Sequence, residues 1–188
     1  MEKKLVLLGV TGGIAAYKGA ELVSLLVKQD LAVQVIMTKK AQEFITPLTF
    51  SVLSGNPVWL DEFDFQQRLP VPHVTLAEQA DLLVIAPATA NTIAKLARGI
   101  GDNLLSALAL AYNKKMLVAP AMNTNMYQHL AVQENLRILQ ERGVEIIQPE
   151  AGRLACGAVG PGRLAPVAEI AARIQFHLYQ PKEWVGKK

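Results

Sequence analysis

Three residues in this chain are equipped for chemistry: His73, Asn123 and Cys156. His73 stands in VPHVTL, and its near-neutral pKa makes it the best proton carrier among the three histidines. A lone histidine is more often structural or exposed, and that reading stands beside the catalytic one. His129 and His177 fall within expected helices and are read as non-catalytic. Cys156, the single cysteine, sits in RLACGAVGPGRLA. In a helix it would be core by default. A Gly-rich loop must instead be exposed or fold over something, as a lid does. Asn123 heads the polar part of PAMNTNM, directly after the apolar KKMLVA. It either caps the next helix, or its amide and the nearby backbone N–H groups hold a substrate carboxylate. Met122 and Met126 would then supply soft apolar surface for a ring.

A second kind of chemistry is anion binding. GVTGGIAAYK, Gly9 to Lys18, joins an apolar strand to a helix. Gly12 and Gly13 let the backbone approach a ligand closely, and the helix N-terminus offers free N–H groups to an anion. The plain alternative is a tight strand-to-helix turn. The loop matches neither G-x-G-x-x-G nor G-x-x-x-x-G-K-[ST], and the second strand ends in Met37-Thr38-Lys39 rather than in a ribose-binding acid. That combination argues against NAD and for a mononucleotide phosphate, with the Thr38 hydroxyl as a further donor or as a helix N-cap. In APATANT, Ala86 to Thr92, small residues leave room for a flat ring. Thr89 and Asn91 there are polar contacts or caps.

These residues need a scaffold that brings loops to one edge. LVLLGV, LAVQVIMT, DLLVIAP, KKMLVAP and VEIIQP read as strands. Helices are expected at Tyr17–Gln29, Thr92–Ala97, Asp102–Tyr112, Gln128–Arg142 and Pro166 to about Tyr179, with one or two short ones over Lys39–Leu53. The near-continuous apolar runs suit a parallel sheet covered on both faces. Trp59–Val74 reads as an irregular loop and Gly152–Gly162 as a Gly-rich one. Alternation of this kind specifies an α/β, doubly wound parallel sheet of three layers. Ligands then bind outside the carboxyl ends of the strands, where the three motif loops lie.

Composition agrees. With 188 residues, 51% of them hydrophobic, the chain suits one compact domain over 1–180, with 181–188 as a linker or tail. No apolar run reaches the roughly 20 residues of a membrane span. A single cysteine makes neither an internal disulfide nor a thiolate metal site, which points to a reducing cytoplasm and no metal. The net charge of +3 is small and the lysines are scattered in pairs, against nucleic-acid binding but compatible with a phosphorylated small ligand.

Taken together, TGGIAAYK, the His73 of PHVTLAEQADLLVIAPATANTIAKLARGIGDNLLS, PAMNTNM with its P-x-M-N-x-x-M pattern, and ACG followed by GPGR resemble the phosphopantothenoylcysteine decarboxylases. These belong to the flavin-containing cysteine decarboxylases. The resemblance spans Leu5 to about Arg173. It implies a flavodoxin-like fold assembled as trimers, or a dodecamer of trimers, with FMN near the subunit interface. It also implies a fusion, common in bacteria, to a phosphopantothenate–cysteine ligase that would begin near Trp184-Val-Gly-Lys-Lys. The implied reaction converts 4′-phosphopantothenoylcysteine to 4′-phosphopantetheine in coenzyme A synthesis, by thiol oxidation to a thioaldehyde, loss of CO2 and reduction of the enethiol. FMN is the natural two-electron partner.

By the same resemblance, His73 assists proton transfer in the oxidative half, Asn123 binds the substrate carboxylate, and Cys156 donates the proton of the final reduction. Gly12, Gly13, Ile14, Ala15 and Thr38 hold the flavin phosphate; Thr89, Ala90, Asn91 and Met122 line the rest of its site. One departure is Ala158, where many relatives carry an acid, which bears on how the loop orders over substrate. The alternatives are a peptidyl-cysteine decarboxylase, a flavin prenyltransferase, a non-catalytic flavin-binding regulatory subunit of a phosphatase, and a flavodoxin-like electron carrier.

Overall fold

The computed structural model describes residues 3–60, 71–155, 157 and 159–179. Its centre is a five-stranded sheet ordered β2-β1-β3-β4-β5, with every pairing parallel. The strands are β1 (Leu5–Val10), β2 (Ala32–Met37), β3 (Leu82–Ala88), β4 (Met116–Pro120) and β5 (Glu145–Ile146). The order reverses between β1 and β3, which is the flavodoxin-like arrangement expected from the sequence.

The apolar runs are continuous because both faces of the sheet are covered. β3 is buried at all seven positions. Side chains alternate between two cores, as the strand period of two requires. Val6, Leu8 and Val10 pack with Leu22 and Leu26 of α1 (Ala16–Lys28), Phe50 of α2 (Pro47–Ser54) and Ile170 and Ile174 of α8 (Val167–Tyr179). Leu7 and Ile85 face the other way. They meet Leu76 of α3 (Pro72–Gln79), Ile93 of α4 (Ala90–Arg98), Leu105 and Leu108 of α5 (Leu104–Ala111) and Leu136 of α7 (Leu130–Glu141).

The helices start and stop where local chemistry dictates. Thr89 caps α4 by accepting from Thr92 N, and Gly99 ends it in the left-handed conformation. Asn103 and Ser106 form a reciprocal capping box on α5. Pro47 opens α2, where its missing N–H costs nothing.

Several expectations change. Pro72–Val74 belongs to α3 and not to a loop. The helix expected at Gln128–Arg142 is α7, beginning at Leu130; His129, expected within it, instead follows the short α6 (Thr124–Gln128), turns the chain and caps α7 by accepting at Nδ1 from Ala131 N. The Gly-rich stretch is an antiparallel hairpin, β6 (Glu150–Arg153) with β7 (Val159–Arg163), and not a loop. Glycine and proline mask its strand pattern, because strand propensity is carried by side chains that pack. His177 lies on α8 as expected, and its Nε2 pairs at 2.6 Å with Glu145 Oε2, holding α8 to the sheet edge.

Candidate functional site

The carboxyl ends of β1, β3 and β4 are stitched together by a short chain of hydrogen bonds. Thr11, almost fully buried, donates from Oγ1 to Pro87 O at 2.7 Å and accepts from Thr89 N at 2.9 Å. One hydroxyl therefore locks the loop after β1 to the loop after β3. Ala121 N donates to Ala88 O at 3.0 Å, which fixes the loop after β4 beside them. Met122 N donates to Gly162 O at 2.8 Å and brings the β6–β7 hairpin down onto the same edge. Buried groups of this kind are almost always satisfied, so these bonds determine where each loop lies.

The result is a cavity of about 720 Å³, within the range of ligand pockets that hold a cofactor and a small substrate. Gly12, Gly13, Ile14, Ala15, Thr89, Ala90, Met122 and Asn123 line it, so eight of the expected site residues from three separate loops share one wall. Arg153, Leu154, Ala155 and Gly162–Leu164 of the hairpin region form another part of that wall. Among the described residues, Lys18, Arg153 and Arg163 are its charged groups and no Asp or Glu lines it.

The other expected residues are placed differently. Asn91 is exposed in the first turn of α4, off the wall; the cap of that helix is Thr89. Thr38 also lies off the cavity wall, although its neighbour Lys40 packs against the Gly12 loop: a Cβ on Gly12 would stand 2.4 Å from Lys40 Cβ. Thr38 occupies the cap position of the 3-10 turn Lys39–Glu43 without a side-chain cap bond. His73 is half-buried on α3 and does not line the cavity within this chain. Cys156 lies outside the described residues, as does Ala158.

Asn123 caps a helix and also lies on the cavity wall. Its Oδ1 accepts from Asn125 N at 2.8 Å, capping α6, while the residue lines the cavity. That bond orients the amide with Nδ2 as its donor side. Thr89 likewise caps and lines.

The residues fit a flavin mononucleotide. Gly12–Ala15 lead into α1, whose first-turn amides suit a phosphate. Thr38 Oγ1 is buried without a hydrogen-bond partner among the described residues, a hydroxyl ready for an anion. Small Ala90 and Ala121 and the thioether of Met122 leave room for a planar ring system.

Sequence reasoning gave no role to Thr11, Gly162, Arg153 or Arg163. Thr11 opens TGGIAAYK, and Gly162 and Arg163 close GPGR, but as motif members only. Arg153 stands in no such motif.

The chain as a whole is similar to known proteins. Over 185 residues the chain is 48% identical to the coenzyme A biosynthesis bifunctional protein CoaBC of Vibrio cholerae, covering 98% of this chain and 46% of that protein. The chain thus spans about half the length of such curated relatives. It is 45% identical over 177 residues to a probable phosphopantothenoylcysteine decarboxylase of Streptococcus mutans, covering 93% of this chain and 99% of that one. Among solved structures, a PPC decarboxylase mutant complexed with pantothenoylaminoethenethiol superposes with a TM-score of 0.85 at 33% identity, covering 95% of this chain and all of that one. The FMN-dependent cysteine decarboxylase SpaF superposes with a TM-score of 0.81 at 31% identity, covering 94% and 97%. The family model described as Flavoprotein matches residues 1–178, and the chain belongs to that family.

Proposed function

We propose that this chain is an FMN-dependent phosphopantothenoylcysteine decarboxylase that makes 4′-phosphopantetheine for coenzyme A synthesis. The observation that carries the reading is that Gly12–Ala15 and Asn123 open onto one cavity, lined by no carboxylate among the described residues. A phosphate-binding turn and a carboxylate-binding amide are then within reach of one bound pair of molecules. The full-length match to a relative named for this activity supports the same reading.

In this reading the Gly12–Ala15 amides and the Thr38 hydroxyl hold the cofactor phosphate. Thr89, Ala90, Asn91 and Met122 surround the rest, Asn91 requiring its side chain to turn from solvent. FMN supplies the two-electron acceptor and donor that lets the cysteinyl thiol pass to a thioaldehyde before CO2 leaves and the enethiol be reduced afterwards. The Asn123 amide donates to the substrate carboxylate and orients the bond that breaks. His73 accepts a proton in the oxidative half, and Cys156 returns one in the reductive half.

His73 is off this chain's cavity wall, and the rim carries exposed apolar residues: Ile14 at 61%, Tyr17 at 56% and Met126 at 49% exposure. Both facts support a homotrimer, or a dodecamer of trimers, in which a second copy covers the rim and supplies His73. Residues 1–180 form the decarboxylating domain, and 181–188 lead toward a phosphopantothenate–cysteine ligase half where one is fused. No described helix is long and apolar enough to cross a membrane, and the proposed setting is the cytoplasm.

The test is CO2 release by the purified, FMN-loaded protein from 4′-phosphopantothenoylcysteine and, separately, from a peptide ending in cysteine. Release from the first alone is expected. Release from the peptide alone identifies a peptidyl-cysteine decarboxylase. A flavin-bound protein acting on neither is a binding or regulatory member of the family.

A further inference from the structure

Strand β3 leaves its ladder where the cavity begins. Its pairing with β1 runs from Val6 with Leu82 to Gly9 with Ile85 and stops there. Its register against β4 slips between Ile85 and Ala88. A slip of this kind leaves backbone groups outside the ladder. Pro87 stands in that gap, and Thr11 takes its carbonyl: Oγ1 donates at 2.7 Å and the backbone N at 3.3 Å. The same Oγ1 accepts from Thr89 N at 2.9 Å. A side chain thus replaces the ladder for the last residues before the two loops.

We propose that Thr11 is a positioning residue that fixes the separation between the phosphate-binding turn and the wall beside the flavin ring, and so sets the preference for FMN over an unphosphorylated flavin. This rests on the cofactor assignments in the reading above, Gly12–Ala15 to the phosphate and Thr89–Ala90 to the ring. Three features carry it.

The first is how the hydroxyl is used. Thr11 is 1% exposed, and its oxygen already donates once and accepts once. It has no proton left for a ligand, so it acts on the site by holding and not by binding. The second is placement. Thr11 directly precedes Gly12, and its partner Thr89 directly precedes Ala90; Gly12, Thr89 and Ala90 all line the cavity. A Cβ on Gly13 would stand 3.9 Å from Thr89 Cγ2, so the two walls meet at this point. The third is that Thr89 passes the constraint on. Its Oγ1 accepts from Thr92 N at 3.3 Å and donates to Thr92 Oγ1 at 3.2 Å. Thr92 is itself buried. The start of α4 is therefore held in register with the α1 turn through one hydroxyl.

The consequence for ligands follows from geometry. A ligand that touches both walls gains when their separation is fixed in advance, because the second contact needs no further ordering. A ligand that touches one wall gains nothing from it. FMN offers a phosphate to the turn and a ring to the other wall; riboflavin offers the ring alone.

The test uses the whole chain freed of flavin, titrated calorimetrically with FMN and with riboflavin. Thr11→Val removes the donor and the acceptor at nearly constant volume, and Thr11→Ser keeps both. The wild type should bind FMN more tightly than riboflavin. In Thr11→Val that preference should fall about 10-fold, the scale of a buried hydrogen bond left unmade, while riboflavin affinity stays near the wild-type value. Thr11→Ser should keep the wild-type preference. An unchanged preference in Thr11→Val, or an equal loss for both flavins, overturns the proposal, since general loosening of the fold weakens both alike. Equal binding of the two flavins by the wild type also overturns it.

A wild-type measurement keeps the test decisive where Thr11→Val does not fold. At saturation, FMN should slow amide exchange of Thr89 more than riboflavin does, because only FMN is held by both walls. Equal protection by the two flavins counts against the role. CO2 release by the FMN-loaded wild type separates this inference from the reading beneath it. Release from neither cysteine substrate, with the preference still falling in Thr11→Val, sinks the decarboxylase reading and leaves the positioning role; release with an unchanged preference does the reverse.

Discussion

Gly162→Ala tests whether the hairpin is built onto the site or merely lies near it. Gly162 has φ of 131°, and a Cβ there would stand 2.3 Å from Met122 O. No rotamer relieves that clash, because the backbone fixes the Cβ and the Met122 oxygen is itself backbone. The Met122 N to Gly162 O bond at 2.8 Å must therefore lengthen or break. A non-glycine residue in a sparsely allowed region costs about 1–3 kcal/mol, and the lost hydrogen bond adds about 0.5–1.5 kcal/mol. Together the hairpin anchor loses roughly 2–4 kcal/mol. Amide exchange of Met122 reads this directly, because its N–H is protected by the bond in question. At about 1.4 kcal/mol per decade, exchange should accelerate roughly 30- to 1000-fold. The reasoning is refuted if Met122 exchanges at the wild-type rate, which would mean that neither the strain nor the contact limits opening.

Other expectations are more local. Gly12→Ala should yield protein with little bound FMN by absorbance, since its Cβ meets Lys40 Cβ at 2.4 Å and Lys40 backbone at 2.8 Å; Gly13→Ala, whose nearest neighbour is Thr89 Cγ2 at 3.9 Å, should retain it. Asn123→Asp sets a negative charge against the substrate carboxylate and should lower kcat/KM by roughly 100-fold or more, a like-charge cost of several kcal/mol. Cys156→Ser should still release CO2 but fail to form 4′-phosphopantetheine, which mass spectrometry of the product distinguishes. Burial pushes the Glu145 carboxyl up, but hydrogen bonds and charge from Arg173 and His177 outweigh it and hold the group below the usual range. A depressed carboxylate stabilises the fold above its unfolded pKa, near 4.5, and that contribution is lost as pH falls through the folded value. Urea midpoints should thus drop on acidification below about pH 5, and Glu145→Gln should flatten that dependence.

The comparison of sequence with structure turns on range. Leu5–Val10, Leu82–Ala88 and Met116–Pro120 were legible as strands because covering a parallel sheet on both faces demands unbroken apolar runs, a constraint written residue by residue. Thr89 and Asn123 were legible as caps because a cap bond spans only two or three residues. The β6–β7 hairpin was not, since Gly152, Gly160, Pro161 and Gly162 erase the alternation that marks a strand. Nor was the helical start at Pro72, which follows a stretch with no clear period.

Sequence by itself thus determined the layered α/β class, the three motif loops and the residue types able to hold a phosphate and a carboxylate. Tertiary structure decided which of them meet. Thr11 joins two loops through partners 76 and 78 residues away. Gly162 meets Met122 from 40 positions away in the chain, and Asn91 turns to solvent while Thr89 stays on the wall. Only the fold shows that, among the described residues, Arg98, Arg137 and Arg173 meet carboxylates and Arg142 a backbone carbonyl, while Arg153 and Arg163 meet neither. The physical reason is that pairing, exclusion and charge balance depend on long-range packing, which local periodicity does not encode.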